Sequence, residues 1–258
     1  MAYEFIEVEA KGRVTTITLN RPQVMNAINS AMHFELQYAF DAFAGDPEQF
    51  ICVVTGAGER AFCAGSDLKA IDRDRGYPKN GYAGLIERFD LYKPVIAAVN
   101  GVCLGGGFEV ALACDIIIAA DNASFGLPEP RVGAIALGGG VHRLVRQTGM
   151  KRAMGYLFTG ARITPGEGYD LGLVNEVVKP ADLSAAVDRW CEQILAAAPL
   201  SIRATKEAAL RGLDEPSLEA AMKHQGDYPG FKAWLAADDT NEGPRAFAEK
   251  RAPIWRGR

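Results

Sequence analysis

Two short, wholly apolar runs, Ile51-Cys52-Val53-Val54 and Val95-Ile96-Ala97-Ala98-Val99, constrain the chain most, because each leads straight into a glycine-rich loop. A run of this length without polar alternation is a strand buried in a core. Ile116-Ile117-Ile118 is a third such strand. Val14-Thr15-Thr16-Ile17-Thr18-Leu19 is a fourth, rich in β-branched residues and closed by the turn signal Asn20-Arg21-Pro22. Between them lie helical patterns. Ser30 is positioned to cap a helix whose apolar positions are Phe34, Leu36, Ala39, Phe40 and Phe43, ended by Gly45-Asp46-Pro47. Phe108–Ala113 is an apolar helical stretch opened by Gly105-Gly106-Gly107, and Lys69–Gly84 is polar, a loop or short helix. From Ala181 onward helical spacing dominates, broken at Pro199 and resumed at Leu218–His224 and Pro244–Arg251. Strand–helix alternation followed by helices defines an α/β class.

With 258 residues, 48% of them hydrophobic and 23% charged, the chain can bury a sizeable core. Its net charge of −4 argues against nucleic-acid binding, which needs clustered Lys and Arg. No apolar run is long enough to span a membrane, and the acidic start lacks a signal peptide's basic-then-apolar order. Five cysteines without a CxxC pair point to a reducing, cytoplasmic compartment rather than a disulfide framework. His33, His142 and His224 show no metal-ligand spacing, so no metal site is expected.

The loop Gly56-Ala57-Gly58-Glu59-Arg60-Ala61 matches a dinucleotide fingerprint, but Gly65 and Ser66 interrupt the helix it would have to open. No Walker-type phosphate loop and no GxSxG elbow is present. Two glycine-rich loops remain, Ala61–Leu68 and Val99–Glu109, with two carboxylates in apolar settings. Glycine lets a backbone turn its N–H groups toward a ligand at close range. Two such amides can bind the charge that builds on a thioester oxygen. Glu109 sits at the start of an apolar helix, where a helix-start acid is also expected. Glu129 sits between Pro128 and Pro130 in a rigid turn.

Together these features resemble the crotonase (enoyl-CoA hydratase/isomerase) superfamily over nearly the whole chain. The resemblance runs through Leu19-Asn20-Arg21-Pro22, Asn26-Ala27, the Ala61–Leu68 loop, Lys93–Gly101 and Gly105–Glu109. It continues in Phe125–Glu129, Gly139-Gly140, Gly172–Asn175 and Ala246–Arg251. It implies a spiral of strand–strand–helix units over 1–195 and a helical region over 196–258 used in trimer formation. The implied assembly is a homotrimer or a dimer of trimers. By position, the N–H groups of Ser66 and Gly106 form the oxyanion hole and Glu109 and Glu129 are the catalytic acids. Ala64, Asp67, Leu68 and Lys250 contact coenzyme A, which belongs to the substrate, so no separate cofactor is implied. The implied reaction is addition of water to a 2-enoyl-CoA. Asp90–Pro94, Asp121–Phe125 and Glu242–Arg258 are similar to the carnitinyl-CoA dehydratases, which handle crotonobetainyl-CoA. Ala136 and Pro130 depart from the usual pattern and reshape the expected acyl pocket. A catalytically silent scaffold that keeps the fold is disfavoured by the presence of both glutamates, and two further alternatives stand beside the hydratase. The first is a double-bond isomerase relying on Glu129. The second is an RNA-binding homologue, disfavoured because the helix after Ser30 carries Glu35 and Asp41 and neither Lys nor Arg.

Overall fold

A computed structural model describes residues 3–70, 72 and 75–258. The chain forms two compact units. One comprises the residues up to Phe89 together with Val95–Arg189, and the other comprises Asp90–Pro94 with Trp190–Arg258.

The first unit is built on two sheets. The larger has six strands, β1 (Ile6–Lys11), β2 (Val14–Leu19), β3 (Ile51–Gly56), β5 (Val95–Val99), β7 (Ile116–Ala120) and β9 (Glu176–Val178), adjacent in that order. Only the β1–β2 pair is antiparallel; every later pair is parallel. The runs read as buried strands are β3, β5 and β7, and β5 is buried at every position. The smaller sheet pairs β4 (Ala61–Cys63), β6 (Val102–Leu104) and β8 (Ser124–Gly126), all parallel. The chain thus steps three times from the large sheet to the small one, β3 to β4, β5 to β6 and β7 to β8. The segment Gly56–Ala61 is the first of these steps, a strand-to-strand connection with no helix, which removes the dinucleotide fingerprint.

Helix α1 (Ser30–Gly45) buries Met32, Leu36, Ala39, Phe40 and Phe43. Its cap is Asn29, not Ser30: Asn29 Oδ1 accepts from the Met32 N–H at 2.8 Å. The Ser30 hydroxyl accepts instead from the Asp72 N–H at 2.8 Å. Helix α2 (Gly106–Ala113) follows β6, and α3 (Gly140–Thr148), α4 (Met150–Thr159) and α5 (Pro165–Asp170) lead to β9. In Lys69–Gly84 the described residues hold one 3-10 turn, Tyr82–Gly84; residues 71, 73 and 74 lie outside the described residues.

After α6 (Leu183–Leu195), the second unit holds α7 (Pro199–Gly212), α8 (Leu218–His224), α9 (Pro229–Leu235) and α10 (Asp239–Ala248). The last helix starts before the expected Pro244, because Asp239 and Glu242 in its first turn suit a helix N-terminus. Both acids also bind the tail. Asp239 accepts from the Arg256 and Gly257 N–H groups at 2.8 and 2.7 Å, and Glu242 accepts from the Ile254 N–H at 2.8 Å. Among the described residues no helix is long and apolar enough to cross a membrane.

Asn26 ties the loops that precede the small sheet. It is fully buried, with φ of 55°. Its Oδ1 accepts from the Arg21 N–H at 3.0 Å, and its Nδ2 donates to the carbonyls of Ala57 and Ala61 at 3.0 and 2.8 Å. Asn26→Ala strands these groups and leaves a non-glycine residue at positive φ, so it should destabilise the protein by about 2–4 kcal/mol. Urea unfolding checks this: the midpoint should fall with an unchanged slope.

Candidate active site

The three strands of the small sheet end side by side, and each runs into one part of the site. Cys63 pairs with Cys103, and Cys103 with Phe125. Gly65 and Ser66 follow β4, Gly105 and Gly106 follow β6, and Glu129 follows β8 in a 3-10 turn, Glu129–Val132. Ligands in parallel α/β sheets bind at such carboxyl ends. The loops are held at the closest backbone approach. Gly65, at φ of 99°, faces the Gly106 nitrogen, so that a Cβ there would lie 3.4 Å from it. A Cβ on Gly107 would overlap the Cys63 carbonyl. Parallel pairing continues past the strand, with the Gly105 N–H donating to Gly126 O at 2.9 Å.

Two main-chain amides are left over. The N–H groups on either side of Ser66 are used up, because Asp67 donates to Ile28 O at 2.9 Å and Gly65 donates to Cys63 Sγ at 3.4 Å. The Ser66 N–H has no acceptor among the described residues. Gly106 opens α2, where first-turn N–H groups lack intrahelical partners.

Glu109 lies in the first turn of α2 and is 4% exposed. Its Oε1 accepts from the Gly140 N–H at 2.9 Å. Gly138 lies so close that a Cβ there would overlap the carboxylate. Burial pushes the Glu109 carboxyl up to about 7; the Gly140 and Gly138 amides and the Arg143 guanidinium oppose that rise, and the Glu129 charge adds to it. Arg143 is itself anchored, donating to Ile86 O at 2.6 Å. Glu129 is also raised, by burial. Its Oε2 is buried with no hydrogen-bond partner among the described residues. Its Oε1 faces Gly105, where a Cβ would lie 3.2 Å away. Glu109 therefore feels the charge of Glu129, and Glu129 is the one beside the glycine turn that carries the Gly106 amide.

The remaining expected contacts divide. Ala64 is half-buried, with its N–H donating to Met25 O at 3.0 Å. Asp67 is committed to an ion pair with Arg21 at 2.9 Å. Leu68 is 75% exposed. Lys250 is exposed, at φ of 54°, in the second unit. Ala136 is buried and Pro130 exposed. Sequence reasoning did not single out Gly138 or Arg143 as neighbours of Glu109. The triple glycine 138–140, parallel to the one at 105–107, is the signal that carried them. Among the described residues no group of three or more His, Cys, Asp or Glu side chains is set to hold a metal ion.

This fold and site belong to a recognised class. The family described as enoyl-CoA hydratase/isomerase matches residues 9–258, and the chain belongs to that family. It is 41% identical to the carnitinyl-CoA dehydratase of Salmonella typhi, over 99% of both chains. It is 42% identical to that of Proteus mirabilis, over 98% of both. Among solved structures it is similar to an enoyl-CoA hydratase from Mycobacterium tuberculosis, with a TM-score of 0.91, 36% identity and coverage of 98% of this chain and 99% of the other. An enoyl-CoA hydratase from Bacillus anthracis gives 0.89, 34%, 99% and 100%. The α/β crotonase fold expected from the sequence is the fold found.

The raised Glu109 carboxyl has a consequence for stability. In the unfolded chain it ionises near 4.5, in the folded protein near 7. Between those values the folded state holds the extra proton, so its stability falls as pH rises. Removing the titration with Glu109→Gln should therefore shift relative stability in the variant's favour by roughly 2–3 kcal/mol between pH 4.5 and pH 8. Urea denaturation of both proteins at the two pH values measures it.

Proposed function

We propose that the protein is a hydro-lyase that adds water across the 2,3 double bond of a 2-enoyl-CoA. Its curated relatives favour a carnitinyl-type acyl group, crotonobetainyl-CoA. One observation carries this reading: two carboxyls, Glu109 buried and Glu129 half-buried, both with raised pKa, near two unpartnered main-chain amides on adjoining glycine loops.

The thioester oxygen accepts from the Ser66 and Gly106 N–H groups, which draws electrons from the conjugated double bond. Such preorganised donors are worth about 2.7–4 kcal/mol each. Glu109, ionised and steadied by the Gly140 amide, takes a proton from a water whose oxygen bonds to C3. The C2–C3 π electrons move onto C2 and the carbonyl. Glu129, protonated, delivers its proton to C2. The site ends with Glu109 protonated and Glu129 ionised, and proton exchange with solvent resets the pair. Glu129 Oε1 is the carboxyl oxygen beside Gly105, next to the amide that would hold the carbonyl, which supports its assignment to C2. A carboxyl oxygen without a partner, as at Oε2, is cheaper to keep protonated than ionised.

Ala64 and Leu68, on the loop that carries Ser66, are assigned to coenzyme A, with Lys250 meeting its phosphates from a neighbouring subunit. Asp67, whose pair with Arg21 holds the loop, is assigned to coenzyme A with them. The exposed apolar side chains Leu210, Leu213, Leu218, Met222 and Leu235 of the second unit support a homotrimer or a dimer of trimers. Five buried cysteines, none of them in a disulfide, support a reducing, cytoplasmic setting.

A spectrophotometric panel of crotonyl-, longer-chain and crotonobetainyl-CoA, with 3-enoyl-CoA as the isomerase control, tests the reading. Glu129→Gln should lower hydration kcat by about 10²–10⁴-fold. Full hydration by the variant would overturn the acid–base assignment, and turnover of 3-enoyl-CoA alone would make the protein an isomerase.

A further inference from the structure

Tyr82 touches both loops that carry the two amides, and the mechanism above gives it no role. It is 5% exposed. Its ring lies against Gly106 so closely that a Cβ on that glycine would overlap the ring and its hydroxyl oxygen. Its hydroxyl also accepts from Ser66 Oγ at 3.3 Å. One side chain thus meets the residue of each unpartnered amide.

The turn that presents Tyr82 is fixed from beneath by α1. Gln37 and Asn80 exchange two hydrogen bonds, with the Gln37 Nε2 donating to Asn80 Oδ1 at 2.8 Å and the Asn80 N–H donating to Gln37 Oε1 at 3.0 Å. The Ala83 N–H donates to His33 Nδ1 at 3.0 Å and holds Ala83 at φ of 55°. The His33 ring packs edge-on against Tyr82 with centroids 4.5 Å apart. A Cβ on Gly84 would overlap the α1 backbone at Gln37. An alanine at positive φ, a glycine wedged on a helix and a buried imidazole bound to a main-chain amide are expensive features. They converge on the orientation of one phenol.

We propose that Tyr82 is a positioning residue that bridges Ser66 and Gly106 and sets the separation of their two N–H groups. The proposal rests on the reading of those amides as the thioester-binding pair. The bridge acts through the main chain: the ring stops the start of α2 from sliding inward, and the hydroxyl restrains the Ser66 loop. Fixed donors cost no reorganisation as charge develops on the oxygen, whereas misplacement by about 1 Å can cost 10²-fold in rate.

The test uses Tyr82→Phe, which keeps the ring and removes the hydroxyl, and Tyr82→Leu, which removes the ring. Each is assayed for hydration kinetics and for the absorption of bound 4-dimethylaminocinnamoyl-CoA, whose band moves to the red as its carbonyl is polarised. The bridge predicts kcat lower by several-fold in Tyr82→Phe and by about 10²-fold in Tyr82→Leu, at nearly constant KM. The red shift should shrink in the same order. A merely structural tyrosine would lower the amount of folded protein and leave the band position of the bound probe unchanged. Wild-type kcat and red shift in Tyr82→Phe overturn the bridge, as does a loss in Tyr82→Leu confined to KM. Should Tyr82→Leu not fold, the near-isosteric Tyr82→Phe decides alone. Failure of the wild-type protein to polarise the probe or hydrate any enoyl-CoA is a different result, and it removes the underlying reading of the amides.

Discussion

The structure depends on how closely two backbones approach each other where the small sheet ends. Gly65 faces the nitrogen of Gly106 at a positive φ that disfavours a side chain, and Gly107 meets the carbonyl of Cys63 at a separation that no side chain would allow. Without that contact, strands of three residues would have little to hold them, since three residues form too few ladder bonds to persist alone. With it, the ends of β4 and β6 are locked, next to Ser66 and Gly106, whose N–H groups are left unspent. The same approach sets where α2 begins, and therefore where Glu109 stands on its first turn.

Around that contact the protein spends stability on order. Glu109 is buried with its charge offset only by two amides and a nearby guanidinium, and Glu129 has an oxygen with no partner. Buried acids of this kind are costly in a core and recur where proton transfer is needed. The costs are met by rigid surroundings: the Arg21–Asp67 pair, the fully bonded Asn26 and the glycines that admit the carboxylates. The polar groups of this region are thus divided between those that hold the loops and those left available to a ligand.

Much of this was legible in the residues. The strands β2, β3, β5 and β7 announce themselves as β-branched or apolar runs, and both glutamates stand out as acids in apolar surroundings. Short strands did not show, because three residues carry no periodicity; β4, β6 and β8 became visible only through their pairing. The cap of α1 was misplaced by one residue because Asn29 and Ser30 are equally suited to the role, and the choice rests on where each side chain finds a partner. The start of α10 was hidden by Pro244, which reads locally as a beginning although the acids before it already turn the helix. The neighbours of Glu109 and the contacts of Tyr82 with Ser66 and Gly106 are pairings across sixteen or more residues of sequence, and single-residue patterns are silent about those.

The three strand ends that assemble the site are drawn from distant stretches of the chain, around Ser66, Gly106 and Glu129, in a sheet whose pairs are parallel. Parallel pairing demands long loop closures, so such contacts form late during folding. No fragment short of the third strand can hold both amides and both acids in place. Catalytic competence should therefore emerge in a single late step as the chain folds, trailing the appearance of helix, and its recovery on refolding would report completion of the small sheet.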